Sequence, residues 1–145
     1  MAENASISSL LDRVARTAPF HRELAKLGTE EQAVFDHTAL PGVPFVAALC
    51  INSVPDTCRT WVVTPHLRAQ ESVASQLETW GVHNILFVPE KEVALGEEIG
   101  DPELTAERLN VLHRIASGQI GRQTVILTEN SLNDEVPSTR GMQNQ

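Results

Sequence analysis

Short apolar runs alternate with helical periodicity in the second half of the chain. Residues 59–65, 83–89 and 122–129 are rich in Val, Ile and Leu and predict three strands. Between them, residues 66–81 and 101–118 repeat apolar positions at helical spacing and end at a glycine. Strands joined by such helices predict βαβ units and a mainly parallel sheet, covered by helices on both faces. The predicted fold class is therefore a three-layer α/β domain.

The first half of the chain shows a different pattern, in which helices predominate. Residues 1–30 predict an N-terminal helical segment, interrupted at Pro19 and ended by Gly28. Residues 33–40 are compatible with a further strand, and residues 44–54 predict an apolar helix. We expect an α/β domain at residues 31–137 and a flexible tail, or the start of a linker, at residues 138–145, because these last residues show no apolar pattern.

The helix predicted to begin at Pro102 has the clearest signals in the chain. Asp101 is placed to cap it, and proline suits its first turn. Its apolar stripe is formed by Leu104, Leu109, Leu112 and Ile115. We expect Leu109 and Leu112 to be buried against the sheet. Arg108 should be at least partly structural, holding backbone carbonyls or an acid of loop 90–101.

A degenerate nucleotide-binding loop is predicted before the helix at 44–54. Its outline of strand, turn and helix fits a phosphate-binding loop, which reads G-x-x-x-x-G-K-[ST]. Here the turn is Pro41, Gly42, Val43 and Pro44, with no lysine or hydroxyl residue to hold phosphate or magnesium. The proline also removes one backbone N–H donor. We expect no bound cofactor and no ATP hydrolysis at this loop, and an ordinary strand-to-helix turn remains an alternative.

A second group of polar residues follows the strand at 59–65. Thr64, His66 and Arg68 are predicted to lie at the carboxyl edge of the sheet, where open α/β folds bind ligands. The alternative is that Thr64 caps the next helix and His66 is solvated.

The acidic stretch 90–107 has one lysine among its many carboxylates, and a solvated loop is favoured over a metal site there.

Composition excludes several classes of function. The formal net charge of −8 disfavours tight binding of duplex DNA, because such binding needs basic residues to neutralise phosphates. No residues have metal-ligand spacing, and no serine or cysteine nucleophile lies beside a recognisable base, so no catalytic or metal site is predicted. No signal peptide or membrane-spanning run is apparent, and the cytoplasm is the expected location.

Taken in order, these segments resemble a known family. The degenerate loop is followed in order by residues 61–81, the strand end Val88-Pro89, the pair Arg108-Leu109 and the run 124–137. This order resembles the N-terminal domain of bacterial transcription-repair coupling factors (Mfd), which is similar to the first domain of the excinuclease subunit UvrB. The resemblance covers residues 33–137. Residues 90–100 depart from it, because they lack the aromatic residues and the proline that the family often has there.

The resemblance implies a particular fold and role. The fold would be of the P-loop NTPase type, like domain 1a of UvrB, with its nucleotide loop degenerate. The chain would be a non-catalytic structural and interaction domain, packed against other domains of an ATP-dependent DNA translocase. Contacts with UvrA and RNA polymerase would be made by regions outside this chain.

Two other functions remain open from the residues alone. The chain could be a free-standing α/β enzyme or small-ligand binder that uses the carboxyl edge of the sheet, with Thr64, His66 and the acidic loop nearby. It could also be a regulatory binding module of unrelated origin.

Overall fold

The structure, a computed structural model, describes residues 2–29, 31–90, 102–117, 122–134 and 136. Most of the acidic stretch and the tail at 138–145 lie outside these residues. The described helices and strands, in chain order, are α1 (Ala2–Ala15), α2 (Ala18–Leu24), α3 (Val43–Ser53), β1 (Arg59–Thr64), α4 (Leu67–Thr79), β2 (Ile85–Phe87), α5 (Pro102–Ala116), β3 (Gln123–Thr128) and α6 (Glu129–Asn133).

The three strands form a parallel sheet in the order β1-β3-β2. Val125 of β3 pairs with Trp61 on one side and with Leu86 on the other. The α/β class and the parallel sheet predicted from the sequence are confirmed. No described helix has the length and apolar character needed to cross a bilayer.

One core lies between the sheet and helices α1 to α4. Leu49 of α3 and Leu77 of α4 are almost fully buried, and Val62 and Ile85 of the sheet pack against this cluster. Leu11 and Leu24 bring α1 and α2 into the same core. Burying one such leucine contributes about 1.5–3 kcal/mol. The N-terminal helical segment therefore shares its core with the α/β part of the chain.

A second core lies on the opposite face of the sheet. Val111 of α5 packs with Leu86, Val125 and Leu127, and Ile115 lies against them. Side chains alternate between the two faces of a strand, so α5 covers the face turned away from α4. Helices on both faces are compatible with the predicted three-layer arrangement.

The orientation of α5 differs from the prediction. Arg108 and Val111 are its buried residues, whereas Leu109 and Leu112 are only partly buried. The true inward face follows positions 104, 108, 111 and 115, which also have helical spacing. An arginine occupies one of these positions, so a search for an apolar stripe selects the neighbouring leucines instead.

Strand β1 is less buried than its sequence suggests. Trp61 is 51% exposed and Val63 is 45% exposed, whereas every residue of β3 is buried. These two side chains share a face with Val125 and Leu127, and the second core covers that face over β2 and β3. The expectation of a buried strand at 59–65 is therefore wrong for one face of β1.

Residues 33–40 form no strand. The Phe35 ring stacks on Phe20 of α2 with centroids 5.7 Å apart, and the Val34 N–H donates to the Glu23 carboxylate at 3.2 Å. Lys26, together with this N–H, lowers the pKa of Glu23. His37 turns the chain with φ 59°, in the left-handed region. Local contacts with α2 thus hold this run away from the sheet.

The different burial of two leucines can be measured. We expect Leu77→Ala to lower the free energy of unfolding by about 2–5 kcal/mol, because Leu77 is fully buried. Leu112→Ala should cost clearly less, because Leu112 is only partly buried. Urea titrations of the two variants and the parent provide the measurement. Equal losses would contradict the orientation of α5 described above.

Candidate functional site

The carboxyl ends of the parallel strands are where the sequence places a candidate site. Thr64 ends β1 and is 4% exposed. Its hydroxyl donates to the Leu127 carbonyl of β3 at 3.2 Å. Thr64 therefore holds two strands together and does not cap α4, which corrects the alternative that the sequence left open.

His66 performs the capping of α4. Its backbone is extended (φ −162°, ψ 165°), and its Nδ1 accepts a hydrogen bond from the Ala69 N–H at 3.1 Å. An accepting Nδ1 places the ring hydrogen of the neutral imidazole on Nε2. Both His66 and Arg68 are exposed, so they lie beside the carboxyl edge of the sheet and do not cover it.

Gln70 is the residue at this edge that sequence reasoning missed. It is fully buried, and its Nε2 donates to the carbonyls of Val88 at 2.9 Å and Ile126 at 3.0 Å. It therefore joins α4 to the ends of β2 and β3. Its Oε1 is buried without a hydrogen-bond partner. The available signal was spacing, because Gln70 lies three, four and seven positions before apolar residues of the same helix.

Arg108 holds the same edge from the other face of the sheet. It is 9% exposed, and its Nη1 donates to the Pro89 carbonyl at 2.6 Å. Its Nη2 lies 3.5 Å from the Ser131 carbonyl oxygen and 3.1 Å from Asp134 Oδ2. Arg108 thus contacts backbone carbonyls, as expected. Its described acid is Asp134, which is not in loop 90–101. Of the acids in that loop, Glu90 is bound by Thr128 and the others lie outside the described residues.

The remaining polar groups of the edge are also paired. The Thr128 hydroxyl accepts the Ser131 N–H at 3.2 Å, which caps α6. The same hydroxyl donates to Glu90 Oε1 at 2.5 Å. Asn130 Nδ2 also approaches this oxygen, at 3.4 Å. Glu90, the one described acid before residue 102 of the acidic stretch, is therefore engaged by β3 and α6.

This pairing limits what the edge can do chemically. The side chains of Thr64, Gln70, Arg108 and Thr128 are all bound to other groups of the chain. In the part of the chain that the structure describes, no group of three His, Cys, Asp or Glu side chains could hold a metal ion. The contacts at the carboxyl edge are those of a structural junction between α4, α5, α6 and the strand ends.

The loop at Pro41–Pro44 does not have the geometry of a phosphate-binding loop. Residues 40–42 form a single 3-10 turn, and α3 begins at Val43. Residues 31–39, which lead into the turn, contain no strand, so the turn does not stand at the carboxyl end of a strand. Pro44 is buried, and the space beside Gly42 is occupied by the Thr38 methyl group, 3.4 Å from where a β-carbon would lie. The residues expected to form a degenerate loop thus lie together as a tight helix start.

A cavity lies elsewhere, beside α1 at the amino ends of the strands. It has a volume of about 390 Å³, and Asp12, Trp80, His83 and Arg122 contribute to its wall. The Arg122 guanidinium is already bound to Asn52 Oδ1 at 3.0 Å, the Val54 carbonyl at 2.9 Å and Asp56 at 2.7 Å. Arg122 therefore ties the end of α3 to the start of β3.

The cysteines offer no activated nucleophile. Cys50 and Cys58 are both free. Burial raises the pKa of the Cys50 thiol, which keeps it protonated at neutral pH.

Comparisons of the chain with protein-family models, with curated proteins and with solved structures give no match.

The structural role of Arg108 leads to a stability prediction. Arg108→Ala should lower the free energy of unfolding by about 1.5–3 kcal/mol, because it removes hydrogen bonds from a charged donor and leaves the Pro89 carbonyl unpaired. Asp134→Asn should cost less, since its side chain is more exposed. Chemical denaturation of both variants and of the double variant gives the coupling energy. Additive effects would show that the ion pair contributes nothing.

Proposed function

We propose that this chain is a non-catalytic structural and interaction domain of a transcription-repair coupling factor, in which the ATP-driven motor lies in another part of the protein. The observation that carries the proposal is the binding of Gln70 and Arg108 to backbone carbonyls at the carboxyl edge of the sheet. In open α/β folds a ligand or substrate binds at this edge. Here Gln70 and Arg108 bind the strand-end carbonyls instead.

The start of α3 supports the same conclusion. A phosphate-binding loop presents backbone N–H donors at a helix N-terminus, with a lysine and a hydroxyl residue beside them. Val43, Pro44 and Phe45 occupy the corresponding positions, and Pro44 is buried. In this proposal the fold is of the P-loop NTPase type, like domain 1a of UvrB, and the strand and loop that would hold a nucleotide have been lost at this turn.

The resemblance of the sequence to coupling factors supplies the biological context. In this proposal the domain packs against other domains of the parent protein and helps to present or mask a neighbouring surface for UvrA. UvrA and RNA polymerase are bound by regions outside this chain. The net charge of −8 supports a protein partner over duplex DNA.

Nucleotide titration tests the absence of a functional loop. We expect calorimetry with Mg-ATP to give no binding heat at micromolar affinity, because no side chain of the 3-10 turn or of the first turn of α3 can hold phosphate or magnesium. Phe45→Lys, which restores a cation near the helix start, should also fail to hydrolyse ATP. Micromolar binding by the parent chain would contradict the proposal.

The role in a coupling factor needs a test at the level of the gene product. We expect the full open reading frame to continue into helicase motifs. The product lacking residues 1–145 should still hydrolyse ATP, because the motor lies elsewhere, and it should lose normal strand-specific repair in a reconstituted assay. The matched control is the full product with Glu129→Gln, an exposed change outside the proposed role. Loss of ATP hydrolysis on removal of residues 1–145 would show that this domain belongs to the motor.

A further inference from the structure

The outer edge of β1 is open in the described part of the chain. There β1 pairs with β3 alone, through six consecutive residue pairs from Arg59 to Thr64. The backbone N–H and C=O groups on its other side therefore have no strand partner. Trp61 and Val63 stand side by side on one face of this edge strand, 51% and 45% exposed.

This edge lacks the features that normally prevent strand pairing. Natural edge strands carry an inward charge, a lysine, a proline or a bulge. Residues 60–64 contain no charged residue and no proline, although Arg59 begins the strand and Pro65 follows it, and the pairing with β3 continues without a bulge. All five are β-branched or aromatic residues, which favour strand structure. The edge is therefore suited to receive another strand.

We propose that the partner is a second copy of this chain, paired antiparallel through β1 about a twofold axis at Val62. The sequence Thr-Trp-Val-Val-Thr at residues 60–64 is almost the same when read backwards. With Val62 opposite its own copy, Trp61 lies opposite Val63 of the second copy. Thr60 then lies opposite Thr64 of the second copy. Aromatic with β-branched is a favourable cross-strand pair. The Thr60 and Thr64 hydroxyls are already bound to β3 within each copy.

In this register the exposed apolar side chains of the two copies lie on the same face of the sheet. Residues 61 and 63 of both copies lie on the face that α5 leaves open, so an apolar patch of four side chains forms across the axis. Twofold symmetry makes every contact twice, which doubles its contribution. The two three-stranded sheets become one six-stranded sheet, and the open backbone edge of each copy is satisfied.

The charges at the ends of β1 are complementary in the same arrangement. Asp56 precedes the strand with its side chain 84% exposed, and Arg68 follows it and is also exposed. Antiparallel pairing brings the amino end of one β1 beside the carboxyl end of the other. Asp56 of each copy therefore lies at the same end of the paired strands as Arg68 of the other copy, although its carboxylate is already bound to Arg122 of its own chain at 2.7 Å. The charge of −8 on each chain is screened at physiological salt beyond about 8 Å, and within β1 the charged residue is Arg59 at the start of the strand.

Sedimentation of the 145-residue chain tests this interface. We expect a monomer–dimer equilibrium whose weight-average mass rises with protein concentration across the micromolar to millimolar range. Val63→Lys should raise the dissociation constant at least about tenfold, because it removes two apolar pairs and adds two like charges at the axis. Trp61→Lys should act in the same direction.

The matched control is Val34→Lys. Val34 is 49% exposed, close to the exposure of Val63, and its N–H is bound to Glu23 beside α2, away from β1. This variant makes the same change of size and charge and should leave the dissociation constant unchanged. Circular dichroism confirms folding of all three variants. A chain that stays monomeric throughout the range overturns the proposal, as does equal weakening by Val34→Lys and Val63→Lys.

Cross-linking tests the register separately. In a background with Cys50 and Cys58 replaced by Ser, a Trp61→Cys chain mixed with a Val63→Cys chain should form a disulfide between unlike chains. Cysteines directly opposite each other on antiparallel strands have β-carbons about 4.5–5.5 Å apart, within reach of a disulfide. Preferential cross-linking of Trp61→Cys chains with each other would overturn the twofold axis at Val62.

Discussion

The ends of β2 and β3 place the strongest constraint on this fold. Backbone carbonyls that are buried at a strand end must be hydrogen-bonded, since an unpaired one costs free energy. Gln70 satisfies the Val88 carbonyl from α4 and adds a second hydrogen bond to the Ile126 carbonyl, which also accepts the Val88 N–H. Arg108 satisfies the Pro89 carbonyl from α5. These two side chains arrive from opposite faces of the sheet. Both helix positions, and the entry into α6, depend on them.

The same hydrogen bonds occupy the polar side chains that the structure describes at the carboxyl edge. A side chain that binds a strand-end carbonyl occupies the space that a ligand would need. Thr128 extends the closure by holding Glu90 while it caps α6. The exposed face of β1 is an apolar surface that these contacts leave available. The proposed protein-binding role rests on this arrangement.

Sequence reasoning recovered the elements better than their orientation. Helices α3, α4 and α5 and all three strands lie where periodicity places them, because apolar spacing and proline and glycine positions act locally. The buried face of α5 was assigned to the leucines beside Val111, since a buried arginine interrupts the apolar stripe. At 33–40 a strand was compatible with the residues, but contacts of Val34 and Phe35 with α2 prevail.

The sequence by itself determined the α/β class, the parallel strands and the absence of phosphate-binding residues at Val43 and Pro44, because these depend on local pattern and residue chemistry. Only the tertiary structure decided which polar residues meet. Gln70 contacts residues 18 and 56 positions away, and Arg108 contacts residues 19 and 23 positions away. The exposure of Trp61 was likewise decided by which strands α5 covers. Contacts at such separations depend on the order and twist of strands in space, which local periodicity does not encode.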